Sequence, residues 1–140
     1  MIVAGFGCRS AATLDSLRDA LARASGGRNV DALATVADKA RSTPFRALAR
    51  DLGLPLQAVP SPALADIPTP TDSPAARATR QTGSVAEASA LWAAGPGARL
   101  IGPRVISADR LATCALAASA PDDTSATTTG PADRPQGDKA

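Results

Sequence analysis

The sequence predicts a layered α/β domain, with a parallel core sheet and helices on both faces. Three observations carry the prediction. Short apolar runs alternate with longer segments of helical period over the first sixty residues, in the order strand, helix, strand, helix, strand. Glycine or proline punctuates the changes between them. The length, 140 residues, suits one domain around one core. Right-handed crossovers place the carboxyl ends of the first two strands on one edge of the sheet. The loops after residues 7 and 36 then face the side on which open α/β sheets bind ligands.

In chain order, "MIVAGFG" reads as a short buried strand ending on glycines. "SAATLDSLRDALARASGG" carries Leu14, Leu17 and Leu21 on one helical stripe, with Ser10 or Thr13 as N-cap and Gly26-Gly27 as the stop. "NVDALATVAD" is the second strand, with Val30, Leu33 and Val36 as its larger apolar residues. "TPFRALARDLGL" is the second helix: Thr43 caps it, Pro44 takes the first turn, Phe45, Leu48 and Leu52 line one face, and Gly53 ends it. "PLQAV" is a third strand. Six of the twelve prolines fall between Pro55 and Pro74, so a loop follows, with at most a short helix at "SPAARAT".

"GSVAEASALWAAG" is the third clear helix. Ser84 followed by Glu87 matches a capping box. Val85, Ala88, Leu91 and Trp92 form its predicted buried face. "ARLIGPRVI" reads as a strand interrupted by Gly102-Pro103, and "RLATCALAAS" as a last strand, although its alanines also suit a helix. From Ser119 the composition changes. Residues 119–140 hold no apolar side chain larger than alanine, and four Asp against one Arg and one Lys. Such a segment buries too little surface to offset its ordering entropy, and a disordered tail is expected.

Composition excludes several function classes. The chain has no histidine, which removes His-based triads, histidine metal sites and an axial histidine for a macrocycle metal. Cys8 and Cys114 stand far apart without a C-x-x-C, so neither a zinc site nor a thioredoxin-type motif is indicated. A net charge of +2, with two Phe, one Trp and no Tyr, predicts no nucleic-acid partner. No apolar run approaches ~18 residues and no leader is visible ahead of the first strand, so a cytoplasmic chain without membrane contact is expected.

Four stretches could carry chemistry. "GFGCRS" places Gly5 and Gly7 between strand and helix, with Ser10 in the third slot of a dinucleotide fingerprint and Asp31 or Asp38 as a ribose-binding acid. A nucleotide-binding module is one reading; a tight turn is the other. Main-chain N–H groups at the helix start, beside Arg9, favour an anion such as a carboxylate. Cys8 sits where the helix dipole and Arg9 lower a thiol pKa, yet there is no histidine to act as its base. Cys114, in an apolar run, reads as core. "ATVADKARS" brings Thr35, Asp38 and Lys39 to the same edge as Arg9, either as an acidic-ligand site or as solvated charges. In "TGSVAEA", Gly83 and Ser84 open another helix N-terminus, and Glu87 is a capping partner or a general base, a role for which Asp38 is the other candidate. "RVISADRLATC" gathers Arg104, Ser107, Asp109, Arg110 and Thr113 around a turn. None of these spells a known catalytic apparatus. Together they point to a ligand with several negative groups.

"GFGCR", "ATVADKA", "TGSVAEASAL" and "PRVISADRLATCALA", in this order and spacing, resemble the CobE family, the unit that also forms the C-terminal domain of CbiG proteins of cobalamin biosynthesis. The resemblance covers residues 1–118. It implies a three-layer α/β/α domain with a mixed, mainly parallel sheet, whose last strands supply the antiparallel pairing. It implies a role in corrin-ring construction on the aerobic route, of the stand-alone type, by binding or handling a precorrin. The alternative it carries is the lactone-opening hydrolysis of CbiG proteins. No resident cofactor is implied, and partners would be a precorrin or corrinoid and other enzymes of the pathway. The family's shared positions fall on Gly5, Gly7, Cys8, Arg9, Thr35, Asp38, Lys39, Gly83, Ser84, Glu87 and Thr113.

Overall fold

A computed structural model of the chain describes residues 1–64, 67, 84–102 and 104–120. Its elements are β1 (Ile2–Cys8), α1 (Leu14–Ser25), β2 (Ala32–Val36), α2 (Ala37–Ala40), α3 (Thr43–Leu52), β3 (Leu56–Val59), α4 (Ser61–Leu64), α5 (Val85–Ala94), β4 (Arg99–Leu100), β5 (Val105–Ile106) and β6 (Ala112–Ala118). The predicted helix at "SPAARAT" and all but the first two residues of the predicted tail lie outside the described residues.

β1 is central. It pairs parallel with β2 and antiparallel with β6, and β2 pairs parallel with β3. The outer edge of β6 is shared by two short antiparallel strands, β4 at Ala117–Ala118 and β5 at Thr113–Cys114. The order is β3-β2-β1-β6-β4, a mixed sheet. The antiparallel pairing comes from the last strands, as the resemblance implies, and "ARLIGPRVI" is one edge broken between Leu100 and Val105. At the other end of the sheet the first and last strands close on each other, with Ser119 N–H donating to Met1 O at 2.9 Å.

The period-2 alternation of β1 sends its side chains into two cores. Ala4 and Phe6 join Leu33, Cys114 and Leu116 beneath α1 and α3, which supply Leu17, Ala20, Phe45 and Leu48. Phe6 and Phe45 meet edge to face, centroids 5.5 Å apart at 79°, a pairing worth ~1 kcal/mol beyond the area buried. Two phenylalanines thus anchor a core that is otherwise aliphatic. On the other face Val3, Ala32, Ala34, Val36 and Val59 pack with Leu64 of α4 and Ala88 of α5. Helices on both faces make the three-layer α/β/α arrangement.

The two faces are built on different principles. Under α5 the sheet has almost no side-chain relief: Gly5 and Gly7 of β1 flank Ala34 of β2 and Ala115 of β6. The helix therefore rests nearly main chain on main chain. A Cβ placed on Gly5 would lie 2.2 Å from Ala86 O and 2.4 Å from Ala90 N. This corrects the predicted buried face of α5, of which only Ala88 is fully buried. The buried residues are Ala86, Glu87, Ala88, Ser89 and Ala90, whereas Trp92 is 40% exposed. Large side chains are excluded from so flat a contact.

Two smaller corrections concern α3. Ser42, not Thr43, is its N-cap residue, which shifts Pro44 to the second helical position. Leu52 is 44% exposed rather than part of the buried stripe, and Ala49 and Leu54 pack on the core around the end of the helix instead.

Candidate functional site

Parallel pairing of β1 and β2 brings the loop after Cys8 and the turn of α2 to one edge, as the crossover argument requires. β6 enters the sheet at that edge, with Ala112 opposite Cys8, and the β5–β6 hairpin tip sits beside it. The N-terminus of α5 overlies the end of β1: a Cβ on Gly7 would meet Thr113 Oγ1 at 2.9 Å and Val85 Cβ at 3.3 Å. Gly5, Gly7, Cys8, Arg9, Thr35, Asp38, Lys39, Ser84, Glu87 and Thr113 thus lie in or next to neighbouring elements of this region. Gly83 lies outside the described residues.

These residues divide into two groups. Most are structural. Gly5 and Gly7 face α5, not a phosphate, and Asp31 accepts from Ile2 N–H at 2.8 Å at the opposite edge of the sheet. The geometry therefore leaves the nucleotide reading without its glycine cradle and removes Asp31 as its ribose acid, so that Asp38 alone of the two acids stays at the site edge. Thr35 is buried and its hydroxyl donates to Phe6 O at 3.0 Å; Thr113 Oγ1 donates to Gly7 O at 3.3 Å. Both hydroxyls tie neighbouring strands of the sheet. Cys8 is half-buried against the first core, and burial pushes the Cys114 thiol far above its usual range, so it is inert.

The helix starts are largely satisfied from within. Thr13 caps α1: its hydroxyl accepts from Ser16 N–H at 3.3 Å, and Ser16 Oγ accepts from Thr13 N–H at 3.1 Å. Arg9 N–H donates to Leu111 O at 2.8 Å. At α5, Ser84 Oγ accepts from Glu87 N–H at 3.3 Å, but the Glu87 carboxyl reaches Arg104 N–H at 3.1 Å. The capping box read at Ser84 is therefore half formed, and the reciprocal box occurs instead at Thr13 and Ser16. Glu87 is fully buried, a poor position for a general base, which must reach the proton it removes.

The second group is cationic. Arg9, in the loop after β1, is exposed and Lys39, on α2, is half-buried, both at this edge, and neither forms an ion pair among the described residues. By contrast, Arg18 pairs with Asp51, and Arg23 with Asp19 at 2.9 Å. Asp38 is exposed on α2 beside Lys39. No group of three or more Cys, Asp or Glu is placed to hold a metal among the described residues, and no described helix is long and apolar enough to cross a membrane.

Sequence reasoning missed a clasp between α1 and the β5–β6 hairpin. Asp109 accepts from Ser107 Oγ and Ser16 Oγ, each at 2.5 Å, and from Leu111 N–H at 3.0 Å. Asp19 accepts from Ala108 N–H at 2.7 Å and from Arg23. These partners lie about ninety residues apart in sequence, and no local pattern announces them. The Ser107 and Ser16 hydroxyls hold Asp109 below the usual carboxylate range of 3.8, and the Ala108 N–H with Arg23 does the same for Asp19. A depressed folded-state pKa contributes stability above the unfolded value and loses it as pH falls through the folded one. Acid titration followed by circular dichroism is expected to show stability declining below about pH 3.8, less steeply in Asp109→Asn than in the wild type.

The family model described as Cobalamin synthesis G C-terminus matches residues 2–117. The chain belongs to this CbiG C-terminal family. It is a protein of cobalamin biosynthesis. Among solved structures, CobE, a protein from the cobalamin (vitamin B12) biosynthetic pathway, is 34% identical with a TM-score of 0.76, over 84% of this chain and 89% of that one. The cobalamin biosynthesis protein chiG from Agrobacterium tumefaciens is also 34% identical, with a TM-score of 0.65 over 86% of this chain and all of that one. A cobalamin biosynthesis protein G homologue from Sulfolobus solfataricus, 21% identical with a TM-score of 0.63, shares the fold; the match spans 36% of its length. A search of curated protein sequences finds no significant match. Family membership accords with the CobE/CbiG resemblance of the four sequence stretches and with the mixed sheet.

Proposed function

We propose that this chain binds a precorrin or corrinoid intermediate by its carboxylate side chains, at the sheet edge formed by the loop after β1 and by α2, which follows β2 directly. One observation carries the reading: Arg9 and Lys39 follow neighbouring parallel strands and have no ion-pair partner among the described residues. Corrin precursors carry many acetate and propionate groups, which suit separated cations better than one compact pocket. Membership in a family of cobalamin biosynthesis supports a ligand of this class. The burial of Glu87 removes one of the two candidate bases for lactone opening, leaving Asp38, and so favours binding or delivery.

Mixed with hydrogenobyrinic acid, the protein is expected to co-elute with pigment from a sizing column. Arg9→Ala and Lys39→Ala should each weaken binding about tenfold, the worth of one charge-assisted hydrogen bond, without lowering the melting temperature. Pigment that passes freely, or unchanged affinity in both variants, would sink the proposal.

A further inference from the structure

Arg110 is the only non-glycine with positive φ, +63°, among the described residues. The left-handed region crowds an L side chain, and turns that need it ordinarily recruit Gly or Asn. Nothing in the turn requires arginine. Residues held in such a conformation persist where the surroundings over-determine them, and they concentrate at functional sites.

The surroundings here are unusually determined. Arg110 N–H donates to Ser107 O, and Ser107 N–H donates to Ala112 O, both at 2.9 Å. Asp109 and Asp19 fix the same tip to α1 through Ser107, Leu111, Ser16 and Ala108. The residue after Arg110 accepts the Arg9 N–H at 2.8 Å, so the two arginines stand on main chains joined by a hydrogen bond. Arg110 is exposed and makes no ion pair among the described residues, although Asp109 is its neighbour. The Asp109 carboxyl is already held by the Ser107 and Ser16 hydroxyls and the Leu111 N–H.

We infer that Arg110 is a ligand-contact residue that works with Arg9, the pair receiving one carboxylate of a polycarboxylate macrocycle while Lys39 receives another. The Asp109–Asp19 clasp is the positioning device: it holds the hairpin tip and engages the carboxylate of the residue next to Arg110. The inference rests on the function proposed above and assigns that site a third cation.

The test uses Arg110→Gly, which removes the cation while relaxing the backbone, so the variant is expected to fold at least as stably as the wild type. Absorbance titrations are made with cobyrinic acid, whose side chains are free carboxylates, and with cobinamide, whose side chains are neutral amides. Arg110→Gly should weaken cobyrinic acid binding about tenfold and leave any cobinamide binding unchanged, while Arg110→Lys retains part of the affinity. If Arg110→Gly binds cobyrinic acid like the wild type while Arg9→Ala does not, Arg110 is no contact residue and this inference falls alone. If the wild-type chain binds neither corrinoid, the proposed function falls with it.

Discussion

Gly5→Ala is expected to lower the melting temperature by ~10 °C or more, or to leave much of the chain unfolded. The added methyl would lie 2.2 Å from Ala86 O, 2.4 Å from Ala90 N and 2.8 Å from Ala90 Cβ. Two of these obstacles are helix main chain, which cannot rotate aside as a side chain can. Relief requires lifting α5 from the sheet, which would open the contact with Val3, Ala34 and Val36 at the same time. Overpacking a dense core costs ~1–3 kcal/mol when side chains can adjust, and more when they cannot. At least ~3 kcal/mol is expected here, from a domain whose total stability is ~5–15 kcal/mol.

Three comparisons isolate the cause. Gly7→Ala meets Thr113 Oγ1 and Val85 Cβ, both side chains, and should cost ~1 kcal/mol. Gly102→Ala meets nothing within 4 Å and should change stability by less than ~0.5 kcal/mol. Ala90→Gly should not rescue Gly5→Ala, because the Ala86 carbonyl remains. Thermal unfolding by circular dichroism reads all four. A Gly5→Ala protein that melts with the wild type would show that α5 does not rest on β1 in this way.

That contact also marks the limit of what the sequence disclosed. The alternation of strands and helices up to residue 59 was legible because large apolar residues recur at regular spacing, as Leu14, Leu17 and Leu21 do. The last strand was harder, since Ala115, Ala117 and Ala118 suit a helix equally well; the smallness of Ala115 and Ala117 has a tertiary cause, the flat face on which α5 lies. The same cause misdirected the reading of α5, where Trp92 looked like core and stands exposed. Gly5-x-Gly7 was ambiguous because close approach of a phosphate and close approach of a helix both ask for the absence of a side chain.

Of the candidate site, Arg9 and Lys39 were legible from position alone, since each follows a strand of the parallel core. Ser16, Asp19 and Asp109 were not recognised as one cluster. Their contacts join α1 to a hairpin about ninety residues away, and a hydrogen bond of that kind leaves no periodic trace.

Glu87 yields the second large effect, and it separates structure from chemistry. Its carboxyl is fully buried at the start of α5 and accepts from the main chain just ahead of β5. It therefore joins the helix over β1 to the outer edge of the sheet, close to where Gly7 meets Val85. Glu87→Ala removes that acceptor and leaves a void. An unsatisfied donor costs ~1–3 kcal/mol, and the lost packing adds to it, so a total near 3 kcal/mol is expected. Glu87→Gln keeps both the volume and an acceptor oxygen, and should stay within ~1 kcal/mol of the wild type. The pair is informative because a general base behaves differently. Glutamine cannot take a proton, so a catalytic Glu87 would give a stable but inactive Gln variant against a lactone-bearing precorrin. A structural Glu87 gives a Gln variant that binds corrinoid like the wild type and an Ala variant that melts early. The second pattern is expected, because the Glu87 carboxyl is fully buried and engaged by a main-chain N–H, the position of a structural acceptor.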